Sequence, residues 1–556
     1  MSTYEQTAEM IWNKYQRGLE QGRISGRYNN AEECWRFYEG DQWARIKNAD
    51  GNLPFYNIVQ PVVDYKKARV CMNNKTITLS IKERDPHGLM DAINEQLKEA
   101  WEFGGMDDRC WEMVEEAMVG GDAFIYFPHG SLFAQGEKLC RCNERRQFSQ
   151  IFDGCRVFLG DEEEPNLQNQ PYIIVEERKL LDQVRDEARQ NGISEDEIGN
   201  ITADNRSDAE ITTDDALKND HGDQYCTTVL YFERVDEGIR YCRAVKDLIY
   251  QPYQVINGLQ YYPMASYSVR RKKGSARGLG EVLRMIPNQI EINKTLVRRS
   301  DAVRRLAYPK MVYSKAFISN VGDLDTPGAA IELNDDVNVD DVFKKVGYIQ
   351  APQASGEATA LEGELMTNTK ELAGAGDSAL GNINPEQASG TAIAAVQDQA
   401  DIPLNRAMAA FQKMVEEIAI LWFHLIIAYN PIEYHGTKTE KVASDELKKL
   451  CPKVDVTVSP TLPDTVLARI NNLYNLLGEG HITFEEFIEL AEDDSNLPLQ
   501  KIKAMREERA KEEGLQRMQI MEQQADDIER EMQETQLSAQ MTENEAGGMF
   551  AGLMGG

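Results

Sequence analysis

Basic residues recur at helical spacing between residues 285 and 308, close to a second basic cluster, RRKK, at 270–273. At about 100° per residue, Lys294, Arg298 and Arg305 lie within roughly 40° of one another on one helix face. An isolated helix usually presents such a stripe to solvent. In an acidic chain, however, the stripe is the densest positive feature. It is suited to bind DNA phosphates or an acidic surface on an adjacent copy.

Catalytic motifs are not found in the sequence. It contains no GxxxxGK[ST] phosphate loop, no HExxH metal motif and no GxSxG nucleophile motif. The glycines at 278–280 lack the third glycine of a dinucleotide-binding loop. We therefore expect no catalytic residue, no enzymatic activity and no cofactor.

Two groups of residues invite comparison with metal sites, and neither has the required pattern. Structural zinc sites use paired CxxC or HxxxH elements. That spacing is missing from the group His129, Cys140, Cys142 and Cys155. The segment 475–487 is similar to the second half of an EF-hand, but Leu477 stands where calcium needs a carboxylate. We interpret the first group as scattered buried thiols and the second as a helix–turn–helix, and we expect no metal.

Composition and charge limit the classes of function. The chain has 556 residues, of which 42% are hydrophobic and 28% charged, as in ordinary globular proteins. Its net charge of -31 argues against a surface that coats nucleic acid, but is compatible with DNA sliding past. The longest apolar run, 418–429, is too short to span a bilayer, so we expect no membrane segment. Nine cysteines and no recognisable signal peptide predict a reduced, intracellular environment.

The N-terminal half combines helical and strand patterns. Residues 3–21 have the apolar period of an amphipathic helix, for which Thr3 is a suitable N-cap. Residues 91–118 are helical in pattern, whereas short alternating runs between 123 and 269 predict strands. Between them, residues 194–223 are strongly acidic and have no apolar period. We expect this segment to be an exposed or mobile insertion.

The C-terminal half contains a long helix over 391–430. Its apolar residues advance by steps of three and four as one stripe: Ile393, Val396, Ala400, Leu404, Met408, Phe411, Val415, Ile418, Trp422 and Leu425. Pro403 lies within this stripe, although a proline costs about 3 kcal/mol in a helix interior. Because the stripe continues past it, we predict that Pro403 kinks one helix rather than separating two.

The order of the elements resembles the portal protein, or head-to-tail connector, of tailed bacteriophages. That order is a mixed α/β region, a basic helix, a small inserted module, a returning helix, a glycine-rich loop and a proline-kinked helix. Five stretches are similar to the family: FYEGDQW (37–43), NIVQPVVD (57–64), GLGEVLRMIPNQIEINKT (278–295), QASGTAIAAVQDQADIPLNRAMAAFQKMVEEIAILW (387–422) and VTVSPTLPDTVLARINNLYNLLGEGHIT (456–483). The resemblance covers roughly residues 30–490.

The resemblance implies a helix-rich α+β subunit with wing, stem, clip and crown parts. Such subunits form a ring, dodecameric in the virion, around a central channel. The implied division is wing 1–280 with the acidic insertion at about 194–223, stem helix 281–308, clip 309–352, returning stem helix 353–373, tunnel loop 374–390, kinked helix 391–430, wing and crown 431–490, and C-terminal crown helices with a flexible tail 491–556.

The resemblance also implies which residues face DNA. The polar residues of the tunnel loop would line the channel: Asp377, Ser378, Asn382, Asn384, Glu386 and Gln387. The loop has no lysine or arginine, which fits a sliding contact because phosphate contacts must be broken before DNA moves. An ordinary solvent loop between two helices would have the same composition.

The implied function is a channel at one capsid vertex, used to package and eject double-stranded DNA. The implied partners are other copies of the chain, the terminase large subunit, a head–tail adaptor, the major capsid protein and a scaffold. The implied location is the virion, and the host cytoplasm during assembly. An internal virion scaffold or coiled-coil structural protein is an alternative, and a nucleic-acid-processing enzyme is another.

Overall fold

The computed structural model describes most of the first 307 residues and parts of the rest. The described residues are 7–43, 53–71, 74–80, 89–128, 149–213, 224–257, 259–307, 310–312, 347–349, 356–376, 402–429, 434–435, 441–442, 453–459, 473–478 and 480–483, with single positions at 318, 320, 322, 332 and 487. The chain divides into two compact units, residues 1–459 and 460–556.

The first unit combines helices and strands, as the sequence predicts. Its described helices are α1 (Ala8–Ile24), α2 (Arg27–Glu39), α3 (Val59–Cys71), α4 (Leu89–Gly104), α5 (Met106–Val119), α6 (Leu181–Gln190), α7 (Glu195–Gly199), α8 (Ile286–Ala307), α9 (Gly356–Ala373) and α10 (Asn405–Tyr429). Its described strands are β1 (Asn74–Ser80), β2 (Ala123–Tyr126), β3 (Gln150–Asp153), β4 (Val157–Leu159), β5 (Tyr172–Leu180), β6 (Tyr225–Val235), β7 (Gly238–Val245), β8 (Leu248–Asn257), β9 (Met264–Tyr267), β10 (Lys310–Val312), β11 (Gly347–Ile349), β12 (Tyr434–His435), β13 (Lys441–Val442) and β14 (Lys453–Ser459).

Strands β4 to β8 form an antiparallel sheet in sequential order, and both of its faces are buried. One face packs on α1 through Ile174, Val229 and Tyr231. The other face joins the largest core through Ile173, Val175, Leu230 and Phe232. The period of two along these strands therefore separates two cores, and the prediction of strands in this region is confirmed.

A smaller sheet connects the N-terminal half to the long C-terminal helix. Strand β2 lies between β3 and β9, and both pairs are antiparallel. Helix α10 packs on β9, where the Tyr267 and Phe411 rings meet edge to face. From Leu404 to Leu425 the predicted apolar stripe faces the core, and Trp422 is only 1% exposed. No described helix has an apolar stretch of the length needed to cross a membrane.

The N-terminal helix begins later than predicted. Helix α1 starts at Ala8, and Thr7 Oγ1 accepts a hydrogen bond from Met10 N at 3.3 Å. The cap is therefore Thr7, and the prediction of Thr3 is wrong. A threonine at either position satisfies the sequence pattern, and the position of Ile11, Tyr15 and Leu19 against the sheet decides between them.

The acidic segment is folded over 194–213, where most of its acidic side chains are exposed, as expected, and a few apolar residues are buried. Ser194 caps α7, and Ile198 and Ile201 are buried against α6. Asp204 accepts hydrogen bonds from the backbone and the hydroxyl of Thr227. The scattered apolar residues give no period, but tertiary packing buries them. Residues 214–223 lie outside the described part of the chain.

Buried amide side chains fix the start of α8. Gln289 Oε1 accepts a hydrogen bond from Ile58 N at 3.1 Å, and Gln289 Nε2 donates to the Tyr56 carbonyl at 2.6 Å. Asn293 Oδ1 accepts from Tyr56 N at 3.3 Å, and Asn293 Nδ2 donates to Gln42 Oε1. We call Gln42, Gln289 and Asn293 the amide network. The network joins three of the family-like stretches, 37–43, 57–64 and 278–295. Its hydrogen bonds between α8 and the N-terminal residues connect positions that are more than 200 residues apart in the sequence.

In the second unit, residues 473–478 are helical. Gly480 follows with a φ of 75°. The amides of Gly480 and His481 donate to the carbonyls of Leu477 and Leu476 at 3.2 and 3.0 Å, which is the pattern of a glycine C-cap. The prediction of a glycine-capped helix end is confirmed at this turn.

Glu176 is a buried carboxyl between α1 and the segment 204–209. It accepts hydrogen bonds from Tyr15 Oη at 3.0 Å and from Ser207 Oγ, and it is 2% exposed. Burial is the main cause that raises the pKa of Glu176 to about 7, against hydrogen bonds that lower it. The folded protein therefore holds this proton at pH values where the unfolded chain has released it.

We predict that Glu176→Gln flattens the dependence of stability on pH. Since the folded pKa is raised, the stabilisation is complete below the unfolded pKa and is lost as pH rises towards about 7. Wild-type protein should lose roughly 2–3 kcal/mol of unfolding free energy from this group between pH 5 and 8. Urea unfolding across this range measures it, and equal slopes for the two proteins would contradict the assignment.

We also predict that Asn293→Leu destabilises the protein by roughly 2–4 kcal/mol. The leucine removes hydrogen bonds from the backbone amide of Tyr56 and from the buried side chain of Gln42. Asn13→Leu is the control, because the same change lies on the exposed face of α1 and should alter the unfolding free energy by under about 0.5 kcal/mol. Similar losses in the two variants would show that the amide network has no special role.

Candidate functional site

Helices α8 and α9 form an antiparallel pair that is fixed by polar contacts at two levels. Near the start of α8, Asn288 Nδ2 donates to Thr369 Oγ1 at 3.0 Å. Three turns further along, Arg299 forms an ion pair with Glu362, whose side chain is 9% exposed. The prediction of two helices in this region is confirmed, although their described bounds are Ile286–Ala307 and Gly356–Ala373.

The predicted basic stripe lies on a different face of α8 from this contact. Lys294 and Arg298 are both exposed. Lys294 Nζ lies 2.7 Å from Glu291 Oε1, and this hydrogen bond, together with the charges of Lys294 and Arg298, lowers the pKa of Glu291. Arg305 is in the last turn of α8, and its side chain lies outside the described part. The other exposed carboxylate on this face is Asp301.

A buried ion pair, which the sequence did not suggest, holds the segment before α8. Lys66 Nζ of α3 lies 2.8 Å from Glu281 Oε2, and the two side chains are 5% and 9% exposed. Burial lowers the pKa of Lys66, and the charge of Glu281 opposes this effect. Glu281 also accepts a hydrogen bond from Arg284, and its backbone amide donates to the Met118 carbonyl at 2.7 Å. Removing one partner of such a pair typically costs 3–5 kcal/mol.

The glycines before α8 allow two backbone segments to approach closely. A Cβ on Gly278 would lie 2.2 Å from the Gly121 carbonyl oxygen, and one on Gly280 would lie 2.2 Å from that of Val119. Gly278 N donates to Asp122 Oδ1 at 2.6 Å. The Gly-Leu-Gly sequence that lacks a dinucleotide-binding context therefore serves close packing next to β2.

Arg277 secures the same loop from the other side. It donates to both carboxylate oxygens of Glu162 at 2.7 and 2.8 Å and to the Val157 carbonyl at 2.8 Å. Burial alone would raise the pKa of Glu162, but the hydrogen bonds and charges of Arg277 and Arg27 lower it to about 2. The cations of this loop are therefore the buried Arg277, the half-buried Arg271, and the exposed Arg270, Lys272 and Lys273.

The start of the predicted tunnel loop lies next to Pro403, which follows the undescribed residues 377–401. Gly374 has a φ of 74°, and a Cβ there would lie 2.9 Å from Cβ of Pro403. Beside this contact is a cavity of about 290 Å³. Charged residues from α3, the segment before α8, α9 and α10 line it: Lys66, Arg270, Glu281, Arg284, Glu371 and Arg406. The described residues on either side of 377–401 therefore lie close together.

The residues that would line the channel are not described. Asp377, Ser378, Asn382, Asn384, Glu386 and Gln387 all lie within 377–401, outside the described part. Pro403 lies in a 3₁₀ turn over Ile402–Leu404, and α10 begins at Asn405. Because 391–401 are also outside the described residues, the kink at Pro403 stays a prediction.

Two partly buried carboxylates merit comparison with an enzyme site. Glu116 and Asp153 line a cavity of about 320 Å³, and burial raises the pKa of each. Glu116 accepts a hydrogen bond from Trp35 Nε1 at 3.3 Å, and Asp153 accepts from the amides of Cys155 and Arg156. Both carboxylates therefore accept hydrogen bonds from groups of their own chain, as in a structural contact. Within the described ranges, no three His, Cys, Asp or Glu residues are grouped to hold a metal.

Comparison with known proteins identifies one family. Residues 170–431 match the model of the family described as phage P22-like portal protein. The match begins just before β5 and ends just after α10, and it spans slightly less than half of the chain. A search of curated proteins finds no match. This match confirms the resemblance to phage portal proteins that the sequence motifs predict, and it does so over residues 170–431.

Proposed function

We propose that this chain is the subunit of a ring at one capsid vertex, through which double-stranded DNA is packaged and later ejected. The observation that carries the proposal is the family match, because it includes both paired helices, the segment between them, the predicted tunnel loop and α10. The proposal includes a ring of twelve copies in the virion, as the resemblance implies.

The arrangement of the paired helices supports a stem that presents a loop. The polar contacts between α8 and α9 hold two antiparallel rods together at two levels. At one end of the pair, β10 and β11 form a short antiparallel ladder, which agrees with a clip over 309–352. At the other end, the Gly374–Pro403 contact brings together the described residues on either side of 377–401, a segment that contains most of the predicted tunnel loop. Such a base would support a loop that projects into a channel.

Electrostatics supports passage of DNA rather than its retention. The chain has a net charge of -31, and residues 374–390 contain no lysine or arginine. Each phosphate that a protein neutralises releases counterions and strengthens binding, so a basic lining would resist movement of the DNA. Polar side chains without positive charge can touch DNA while binding it only weakly.

The proposed partners follow from the proposed role. The clip would dock the terminase large subunit during packaging and a head–tail adaptor afterwards, while the wing and crown would face the major capsid protein and the scaffold. The packaging energy would come from the separate terminase. The protein would assemble in the host cytoplasm and remain at the portal vertex of the virion.

The alternatives differ from this proposal in what purified protein would do. A nucleic-acid-processing enzyme would show nuclease or ATPase activity, whereas we expect neither. An internal scaffold or coiled-coil protein would form elongated particles. Pairing of α8 and α9 within one chain favours a folded stem over an extended coiled coil.

We predict that negative-stain images of the purified protein show closed rings with a central hole. Ring closure is expected because a head-to-tail interface repeated by rotation closes on itself. Class averages give the number of copies. A stable monomer, or elongated particles at all concentrations, would contradict the proposed function.

We further predict that Asn382→Lys with Asn384→Lys slows DNA packaging without preventing ring formation. Two cations per copy would bind phosphates in the channel and would have to be released at each step. The length of DNA packaged per unit time measures the effect. Higher salt should make the slowing smaller, because it weakens phosphate contacts. The control is Asn382→Ser with Asn384→Ser, which adds no charge. Normal packaging by the lysine variant would show that these positions do not face DNA.

A further inference from the structure

Helix α9 has an acidic face that points away from α8. Glu357, Glu364 and Glu371 recur every seven residues and are all exposed. At about 100° per residue, this face is roughly opposite to the residues that contact α8, Glu362 and Thr369. None of the three forms an ion pair with another described residue. An exposed leucine, Leu361, lies beside them and is 50% exposed.

Helix α8 presents the opposite charge on a face that α9 does not cover. Lys294 and Arg298 lie about 110° around the helix from Arg299 and Asn288, which contact α9. Lys294 already pairs with Glu291 on the same helix. Among the described residues, Arg298 has no carboxylate within salt-bridge distance. One subunit therefore exposes a cationic surface on α8 and an acidic surface on α9.

We propose that these two surfaces bind each other between adjacent copies, with Lys294 and Arg298 of one subunit on Glu364 of the next. The inference rests on the proposed ring. An interface between different surfaces of identical chains is head-to-tail, and closes when repeated by rotation. The two surfaces are complementary in charge and lie on separate sides of one helix pair, as a head-to-tail contact requires.

The position along the helices favours Glu364 as the partner. In a ring whose axis runs along the helix pair, rotation keeps every residue at its own height, so residues of equal height meet across the interface. Within one chain, Arg299 lies level with Glu362, and Asn288 with Thr369. Lys294 lies between these two levels, and Arg298 lies next to the Arg299–Glu362 level. Glu364 lies between the same two levels on α9. Its neighbour Leu361 would be covered by the same contact.

DNA is the less suitable occupant of the α8 surface. Glu291 and Asp301 lie on the same exposed face as Lys294 and Arg298, so a phosphate chain would meet alternating attraction and repulsion. Val303, which is 60% exposed, and Leu361 add apolar area beside the two charged surfaces. Mixed charge with apolar neighbours is typical of protein contacts rather than of DNA contacts.

We predict that Arg298→Glu and Glu364→Arg each impair ring assembly, and that the two changes together restore it. Each single variant places like charges opposite each other, whereas the double variant exchanges the partners. For each single variant, the protein concentration at half assembly should rise roughly tenfold or more, and the double variant should return to within about threefold of wild type. Mass photometry or sedimentation velocity measures the ring fraction.

The control variant is Arg189→Glu, which changes the net charge by the same amount as Arg298→Glu. Arg189 lies on the exposed part of α6, away from α8 and α9, so this variant should assemble normally. Circular dichroism of the monomer fraction should match wild type for every variant, because the side chains of Arg298 and Glu364 are both exposed. As a second measurement, Arg298→Cys with Glu364→Cys should give a disulfide-linked ladder of copies under mild oxidation.

The outcomes separate this inference from the proposed function. Wild-type rings together with normal assembly of both single variants would overturn the interface and leave the ring intact. Impaired single variants without rescue by the double variant would also overturn the pairing. Normal assembly with altered packaging would assign Arg298 to DNA, against the inference. Wild-type protein that never forms rings would refute the proposed function itself.

Discussion

The amide network at the start of α8 is the constraint on which the central helices depend. Gln289 and Asn293 satisfy backbone groups of residues 56–58, and Asn293 also donates to Gln42. Buried amides need partners in fixed positions, so they specify one orientation of α8 where apolar contacts would permit several. Everything that α8 positions, namely its pairing with α9 and its exposed cationic face, follows from that orientation.

A second group of buried contacts fixes the segment that leads into α8. The Lys66–Glu281 pair joins it to α3, Arg277 joins it to Glu162, and Gly278 and Gly280 allow it to lie against the backbone near β2. The same region reaches the cavity beside Gly374 and Pro403. The start of the predicted tunnel loop at Gly374 thus lies close to these buried contacts. In the proposed ring, this position would transmit contacts with DNA into the body of the subunit.

The proposed assembly uses charge in two different ways. The glycine-rich loop has no cation, which suits a surface that DNA passes, while the cations of α8 lie on a stem face and have acidic counterparts on α9. A chain with a net charge of -31 gains from placing its exposed cations at contacts between copies, because like-charged subunits otherwise repel one another. In the proposed ring, the acidic net charge of the chain and the basic stripe on α8 would therefore both serve assembly.

The sequence by itself determined the elements whose pattern is local: the apolar stripe of α10, the alternation of β5 and β6, and the helices α8 and α9. It also indicated the family that residues 170–431 resemble. It missed the folded segment 194–213 and the helix α6, because a few buried apolar residues among acidic ones give no period. The pairing of Lys66 with Glu281, of Gln42 with Asn293 and of Gly278 with Gly121 was decided only by the tertiary structure. These contacts join residues that are far apart in the chain, and a buried polar side chain shows its partner only when the surrounding fold has excluded water and fixed the distance.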